Sequence, residues 1–510
     1  MPQNLVEKTF LKSPESYWIA STPNTNFPKL QEDLKTDILV VGGGITGITT
    51  AYLLQKEGFR VVIIDANRIA AGTTGHTTAK ITSQHDLKYA KLIKQIGSEG
   101  AYLYGQANEN AKALIEKIIS ENDIQCDFSK QPSYVYTQDE KYLQKIEDEV
   151  NAAKSLELPA TYKSSIPLPI QIEGAICFEN QAQFHPRKYL LALAEIFVNN
   201  GGLIYENTTA IDIHETENCT ISIKDGLKIT SDKVIVTTQY PFYDGWGLYA
   251  VRMYGERSYI VAAKSQIRFP EGMYISYEKP TRSLRYQPIE NGEQLILIGG
   301  EHHKTGQDTN ENENYKKLIE FADSTFSATD IPYRWSAQDY TAMDHIPLIG
   351  HITSSKRNIF VATGFSKWGI TSSTLAANLI KDIITTNKNE CEYIFSPSRF
   401  TPISSAKDFV EQNLNVVENL IEGKTKNLPT EFSLELGEGK PVEVDGKKAG
   451  AYRDTDGNTF IVDTTCTHLG CEVRWNSAER TWDCPCHASR FDYKGNVIEG
   501  PAQKPLKRLK

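Results

Sequence analysis

The sequence predicts a two-part chain: an α/β domain on a parallel sheet, with an α+β portion carrying an antiparallel sheet interleaved into it, then a small all-β unit. Three observations predict this. A strand, a glycine turn, a helix and a second strand follow one another between Asp37 and Ile64, which is a βαβ unit. Residues 161–330 mix short strands with Pro- and Gly-bearing turns. Beyond a break at 396–404, a separate β-rich stretch begins near Leu428 and holds two Cys/His pairs.

At 510 residues the chain exceeds the size at which one core keeps growing, so more than one domain is expected. Apolar residues at 40% and charged residues at 23% match ordinary globular usage and exclude a disordered or fibrous class. A net charge of −9 argues against a nucleic-acid partner, which needs a positive face. Only the tail from Lys504 to Lys510 is locally basic, and it reads as a solvated run. No apolar run approaches the roughly 18 residues of a membrane-spanning helix, and the N-terminus lacks a signal-peptide layout, so the expected address is cytoplasmic.

Residues 1–35 are polar and mixed, and read as an arm over the surface. The larger domain is expected over 36–395. Its nucleotide-binding segments fall at about 36–85, 165–245 and 335–390, and its substrate portion at about 86–164 and 246–334. Asp37–Val41, Arg60–Ile64, Lys233–Thr237 and Asn358–Thr363 read as buried strands, and 371–385 as a helix. Residues 396–427 form a linker with an amphipathic helix whose stripe includes Phe409, Val416, Val417, Leu420 and Ile421. Residues 428–510 form the β-rich unit.

Gly42-x-Gly44-x-x-Gly47 follows a strand and opens a helix, and Asp65 ends the next strand. Gly42 permits a tight turn, Gly44 lets a pyrophosphate approach backbone N–H groups, Gly47 allows close packing, and Asp65 accepts from ribose hydroxyls. This Rossmann-like pattern suits FAD or NAD equally. The next stretch, Ala71-Gly-Thr-Thr-Gly-His-Thr-Thr-Ala-Lys80, and the runs Met343–Gly350 and Ala362–Thr371, resemble the glycine/D-amino acid oxidase family. That resemblance covers about 36–390 and implies FAD, held by Gly42, Gly44, Ile45, Thr46, Gly47, Asp65, Ala66, Thr74, Thr77, Thr78, Gly364, Gly369 and Ile370. It also implies a helix N-terminus near the flavin C2 carbonyl. Two departures stand out. No Cys or His clearly anchors the flavin covalently, and His76 reads as a hydrogen-bonded loop histidine. Ser366-Lys367-Trp368 replaces the Gly-His-Gly of several amine oxidases, so oxygen reactivity does not carry over.

Of eight cysteines, Cys126, Cys177, Cys219 and Cys391 are isolated and read as small core residues. The others lie in Cys466-Thr-His468-Leu-Gly-Cys471 and Cys484-Pro-Cys486-His487-Ala-Ser489. Two Cys/His pairs on two loops match a [2Fe–2S] site with both thiolates on one iron and both imidazoles on the other. Zinc is the competitor, but Cys-x-His is tighter than zinc-finger spacing and leaves two cysteines unused. The segment resembles the Rieske proteins of the cytochrome bc type, whose motif it matches except at Ala488. That resemblance implies Cys466, His468, Cys484 and His487 as ligands and a Cys471–Cys486 disulfide. It also makes Ser489 a donor to a bridging sulfur and Gly500-Pro501-Ala502 the family's proline loop. Phe491 stands where the respiratory proteins have a tyrosine, and cannot donate, so a lower potential than theirs is expected.

For the substrate, Arg285 is expected as a carboxylate-binding arginine and Lys367 as a cation over the flavin. Tyr340, Asp344 and His345 are expected pocket neighbours, and His302-His303 an exposed turn. Together these readings predict a flavin-dependent dehydrogenase. It oxidises an amine or amino acid and passes electrons through the cluster to an external acceptor. A redox-responsive binding protein, and a reductase running electrons from cluster to flavin, are the alternatives.

Overall fold

The computed structural model describes residues 2–308, 310–399 and 406–509. Most of the 396–404 break therefore lies outside the described residues. The parallel layer belongs to an eight-stranded sheet ordered Leu348–His351, Ile359–Thr363, Lys228–Val236, Leu34–Val41, Val61–Ile64, Leu203–Tyr205. Parallel ladders join Leu34–Val41 to Val61–Ile64 and to Lys228–Val236, which pairs in turn with Ile359–Thr363. These central strands are runs of Val, Ile and Leu because both faces are covered. On one side the helices Ile45–Lys56 and Gly369–Thr386 pack against each other.

The second sheet has nine strands and is almost wholly antiparallel. Its backbone is Ala328–Ala342, Met253–Ser265, Gln294–Lys304 and Arg282–Pro288, continued through Met273–Ser276, Ser129–Thr137 and Gly174–Gln183 to Lys80–Ile81. This corrects the expected division of the chain at two places. Gly174–Gln183 pairs with Ser129–Thr137 and so belongs to the antiparallel sheet, and the strand Ala328–Ala342 runs on past residue 335. The arm is also more than a surface strap. Trp18 is fully buried and its indole N–H donates to the Thr77 carbonyl at 2.7 Å, while the Ser16 hydroxyl bonds the Gly75 carbonyl.

The helix Ala406–Thr425 leads into the small unit, with a three-stranded sheet over 439–463 and a four-stranded one over 474–499. That unit packs on the antiparallel sheet. A Cβ at Gly255 would lie 2.3 Å from the Ala488 Cβ, so only a glycine lets the two backbones meet there. No helix among the described residues is long and apolar enough to cross a membrane.

Candidate functional site

One cavity of about 1430 Å³ runs from the glycine turn, between the two sheets, to the inner face of the small unit. Its first part is the turn. Gly42 sits at φ +109°, where a side chain would collide with the Thr237 carbonyl. A Cβ at Gly47 would lie 1.9 Å from the Gly42 carbonyl oxygen, so Gly47 fixes the packing and is the one expected cofactor contact that does not border the cavity. Gly42, Gly44, Ile45, Thr46, Asp65 and Ala66 do border it, as do Thr74, Thr77 and Thr78. Asp65 accepts the backbone N–H groups of Gly43 and Asn67, both at 2.8 Å, and burial raises its carboxyl above the ordinary range. The helix from Ile45 has Gly44 as its N-cap; the Ile45 N–H donates to the Thr74 hydroxyl at 3.1 Å, which leaves the next N–H groups of the first turn to face an anion.

Gly364, Gly369 and Ile370 line the far wall. The helix Gly369–Thr386 begins there, without a side-chain cap bond. His76 places Nδ1 2.8 Å from the Gly72 carbonyl, to which it donates. Both open helix ends, the glycine approach and the row of threonines suit a dinucleotide pyrophosphate and a flavin ring.

Beyond this lies a charged pocket. Lys367, at φ +71°, pairs with Glu256 at 3.3 Å, and His302, Asp339 and Asp86 border the same cavity. Burial raises Asp339 to about 6, opposed by Lys367, and burial with Lys367 lowers His302 to about 4. His302 corrects an expectation. The strand Gln294–Lys304 continues through both histidines, so neither is in an exposed turn. Arg285 corrects another, since it is 1% exposed and does not border the cavity. Its guanidinium donates to the carbonyls of Ala79, Phe184 and Tyr286 and to the Gln287 side chain, leaving it no fork for a ligand. Tyr340 and His345 border the cavity, whereas Asp344 is tied to Arg399 at 2.7 Å.

Sequence reasoning missed Glu256, Asp339, His302 and Gln338. A glycine inside an otherwise β-patterned run, Tyr254-Gly255-Glu256-Arg257, was the available signal for a close backbone approach.

In the small unit, Cys471 and Cys486 form a disulfide with an S–S distance of 2.04 Å. Their sulfurs lie within 4.8 Å of the Cys484 sulfur but are spent on each other, leaving Cys466 and Cys484 as free thiols. The rings of His468 and His487 are 5.0 Å apart and nearly perpendicular. Both Nδ1 atoms are buried and without a hydrogen-bond partner. A hydrogen bond from Cys484 is the main cause that lowers the Cys466 thiol to about 7. Two thiols and two orphaned imidazole nitrogens fit an iron–sulfur cluster, for which an orphaned buried nitrogen is otherwise costly.

Residues 37–383 match the family described as FAD dependent oxidoreductase (DAO), and residues 427–510 match the Rieske [2Fe-2S] domain. The chain belongs to the DAO family of FAD-dependent oxidoreductases and carries a C-terminal Rieske domain. This DAO-family chain binds FAD through its DAO domain and a [2Fe–2S] cluster through its Rieske domain. It is 48% identical over 499 residues, 98% of both chains, to a Bacillus subtilis (strain 168) protein that carries the provisional name Rieske 2Fe-2S iron-sulfur protein YhfW. It is 25% identical over 390 residues to the gamma-glutamylputrescine oxidoreductase of Escherichia coli (strain K12), covering 72% of this chain and 88% of that one. The glycine oxidase of Geobacillus kaustophilus shares the fold at TM-score 0.61 and 18% identity, covering 72% of this chain and 100% of that one.

Proposed function

We propose that this oxidoreductase is a dehydrogenase of an amine or amino acid, whose electrons leave through the Rieske cluster to an external acceptor. The observation that carries the reading is the shared wall. The Tyr340 hydroxyl, on the cavity side, bonds the carbonyls of His487 and Gly500, and the Gln338 amide donates to the Ala488 carbonyl at 2.9 Å. A cluster ligand is thus held against the flavin cavity by side chains that border it. Bound FAD supplies hydride acceptance and the cluster supplies one-electron exchange.

The chain's own residues orient and screen. Glu256, Asp339 and Asp86 offer carboxylates to a substrate ammonium, with Lys367 balancing them. Trp368 stacks on His85 at 4.9 Å and closes the side next to Gly369. A cytoplasmic address is part of the reading, and Cys471 and Cys486, at 2% and 8% exposure, are shielded there from reductants.

The test is anaerobic mixing of the holoprotein with a panel of amines and amino acids. Flavin bleaching followed by loss of the oxidised-cluster bands is the expected sequence. Cluster bands that respond only to a chemical reductant, with no bleaching by any substrate, would overturn it.

A further inference from the structure

No acidic residue follows Glu499 in the sequence, and the segment after it carries Lys504, Lys507 and Arg508, with Lys510 outside the described residues. This segment lies on the cluster loops. The Thr467 hydroxyl, between the ligands Cys466 and His468, donates to the Lys504 carbonyl at 2.6 Å, and the Ala502 N–H donates to the Ser489 hydroxyl at 3.0 Å. All three cations are exposed. Neither lysine makes an ion pair among the described residues, and Arg508 donates to the Lys494 carbonyl and the Asn496 side chain instead of a carboxylate. The acids nearby, Asp463, Asp492 and Asp244, turn their oxygens to the backbone N–H groups of Thr465, of Lys494 and Asn496, and of Leu248 and Tyr249.

Apolar side chains stand beside this strip. Leu469, next to the ligand His468, is 58% exposed. The loop that brings the Tyr240 ring within 6.3 Å of His468 also presents Trp246 and Leu248, at 91% and 60% exposure. Elsewhere the charge runs the other way, since the chain as a whole carries −9. A positive strip kept beside a cluster ligand, against that average, selects the sign of what approaches.

We propose that Leu469, Trp246 and Leu248, with the basic strip Lys504, Lys507 and Arg508, form the docking surface for a small acidic one-electron carrier protein. Electron-transfer encounters use small interfaces with an apolar centre and charged steering, which is what this surface offers. With the cluster bound and reduced, one electron would pass from it to the carrier's metal centre. The iron pair is oxidised by one, the carrier reduced by one, and no bond or proton moves. The proposal rests on the relay reading only in needing the cluster to exchange electrons with a partner.

The test uses the full holoprotein with its cluster reduced by dithionite, so it does not depend on any amine being a substrate. The probes are a basic cytochrome c and the same cytochrome with its lysines succinylated, mixed anaerobically while haem reduction is followed. The acidic form is expected to be reduced about tenfold faster at low ionic strength, an advantage that salt removes. The double variant Lys504→Glu/Lys507→Glu is expected to abolish that preference while its cluster spectrum stays unchanged. Faster reduction of the basic form, as the net charge alone would give, overturns the proposal, and so does a double variant that keeps the preference. Equal rates for both forms, with binding to anionic-lipid vesicles lost in the double variant, also overturn it and make the strip a membrane-facing one.

Discussion

The Tyr340 hydroxyl lies 3.2 Å from the carbonyl of the proposed cluster ligand His487 and 2.8 Å from that of Gly500, and the Gln338 amide reaches the same hydroxyl at 3.3 Å. A single phenol thus ties the antiparallel sheet of the flavin domain to both cluster-side loops. Replacing it with phenylalanine keeps the ring and removes the tie. Tyr340→Phe is expected to leave substrate bleaching of the flavin unchanged and to slow the cluster phase that follows, with a loss of about 1 kcal/mol in stability. Stopped-flow spectra at two wavelengths separate the phases.

Gly255→Val places a branched side chain where even a Cβ would meet Ala488 at 2.3 Å. The backbone of a central strand cannot yield, so the Rieske unit must. Limited proteolysis is expected to release a fragment beginning near the 396–427 linker, from a chain that still binds FAD. A variant resistant to proteolysis would show that the contact is adjustable.

Glu499 lies 3.1 Å from Arg490 and 3.4 Å from Arg257. Burial opposes its charge, but the two arginines outweigh burial and hold its carboxyl below the ordinary range. Its folded pKa is lower than the unfolded value of about 4.3, so its stabilisation is full above that value and is lost as pH falls through the folded one. Glu499→Gln is expected to cost about 3 kcal/mol at neutral pH, because it leaves Arg257 without its near carboxylate. The variant should also unfold less steeply below pH 4, as followed by Trp fluorescence.

Asp339 has a carboxyl raised by burial to about 6. If it receives the substrate ammonium, kcat/KM for a cationic amine rises as this group loses its proton, giving an acid limb near pH 6. Asp339→Asn is expected to flatten that limb and raise KM about tenfold, the worth of one charge-assisted hydrogen bond. An unshifted profile would assign the limb to another group.

Phe491 is fully buried in the Rieske core, beside a Ser489 whose hydroxyl oxygen accepts the Ala502 N–H and leaves its proton for a sulfur. Phe491→Tyr is expected to raise the cluster potential by tens of millivolts, and Ser489→Ala to lower it, because a hydrogen bond to a cluster sulfur favours the reduced state. Redox titration of the cluster bands reads both.

Local motifs were the legible part of this chain. Gly42, Gly44 and Asp65 are constrained by their own turn, and the proposed ligands Cys466, His468, Cys484 and His487 by two short loops. Spacing along the chain therefore carries them. Arg285 and His302 were not legible in the same way. Which face of a strand a side chain takes depends on pairing with residues far along the chain, and a strand arginine that meets three backbone carbonyls looks in sequence like one that meets a ligand. The shared wall was equally hidden, since Gly255 and Ala488 meet only once both domains are folded.

The parallel sheet sets a timetable for making this protein. Its central strand Leu34–Val41 leaves the ribosome early, but the neighbouring ladder waits for Lys228–Val236, which in turn waits for Ile359–Thr363. Such distant pairing is slow and leaves strand edges open during synthesis. The cavity's last wall, residues 496–503, emerges after all of them. A chain that has not yet made residues 496–503 can therefore pair both large sheets while its cavity still stands open on the side the Rieske unit will cover.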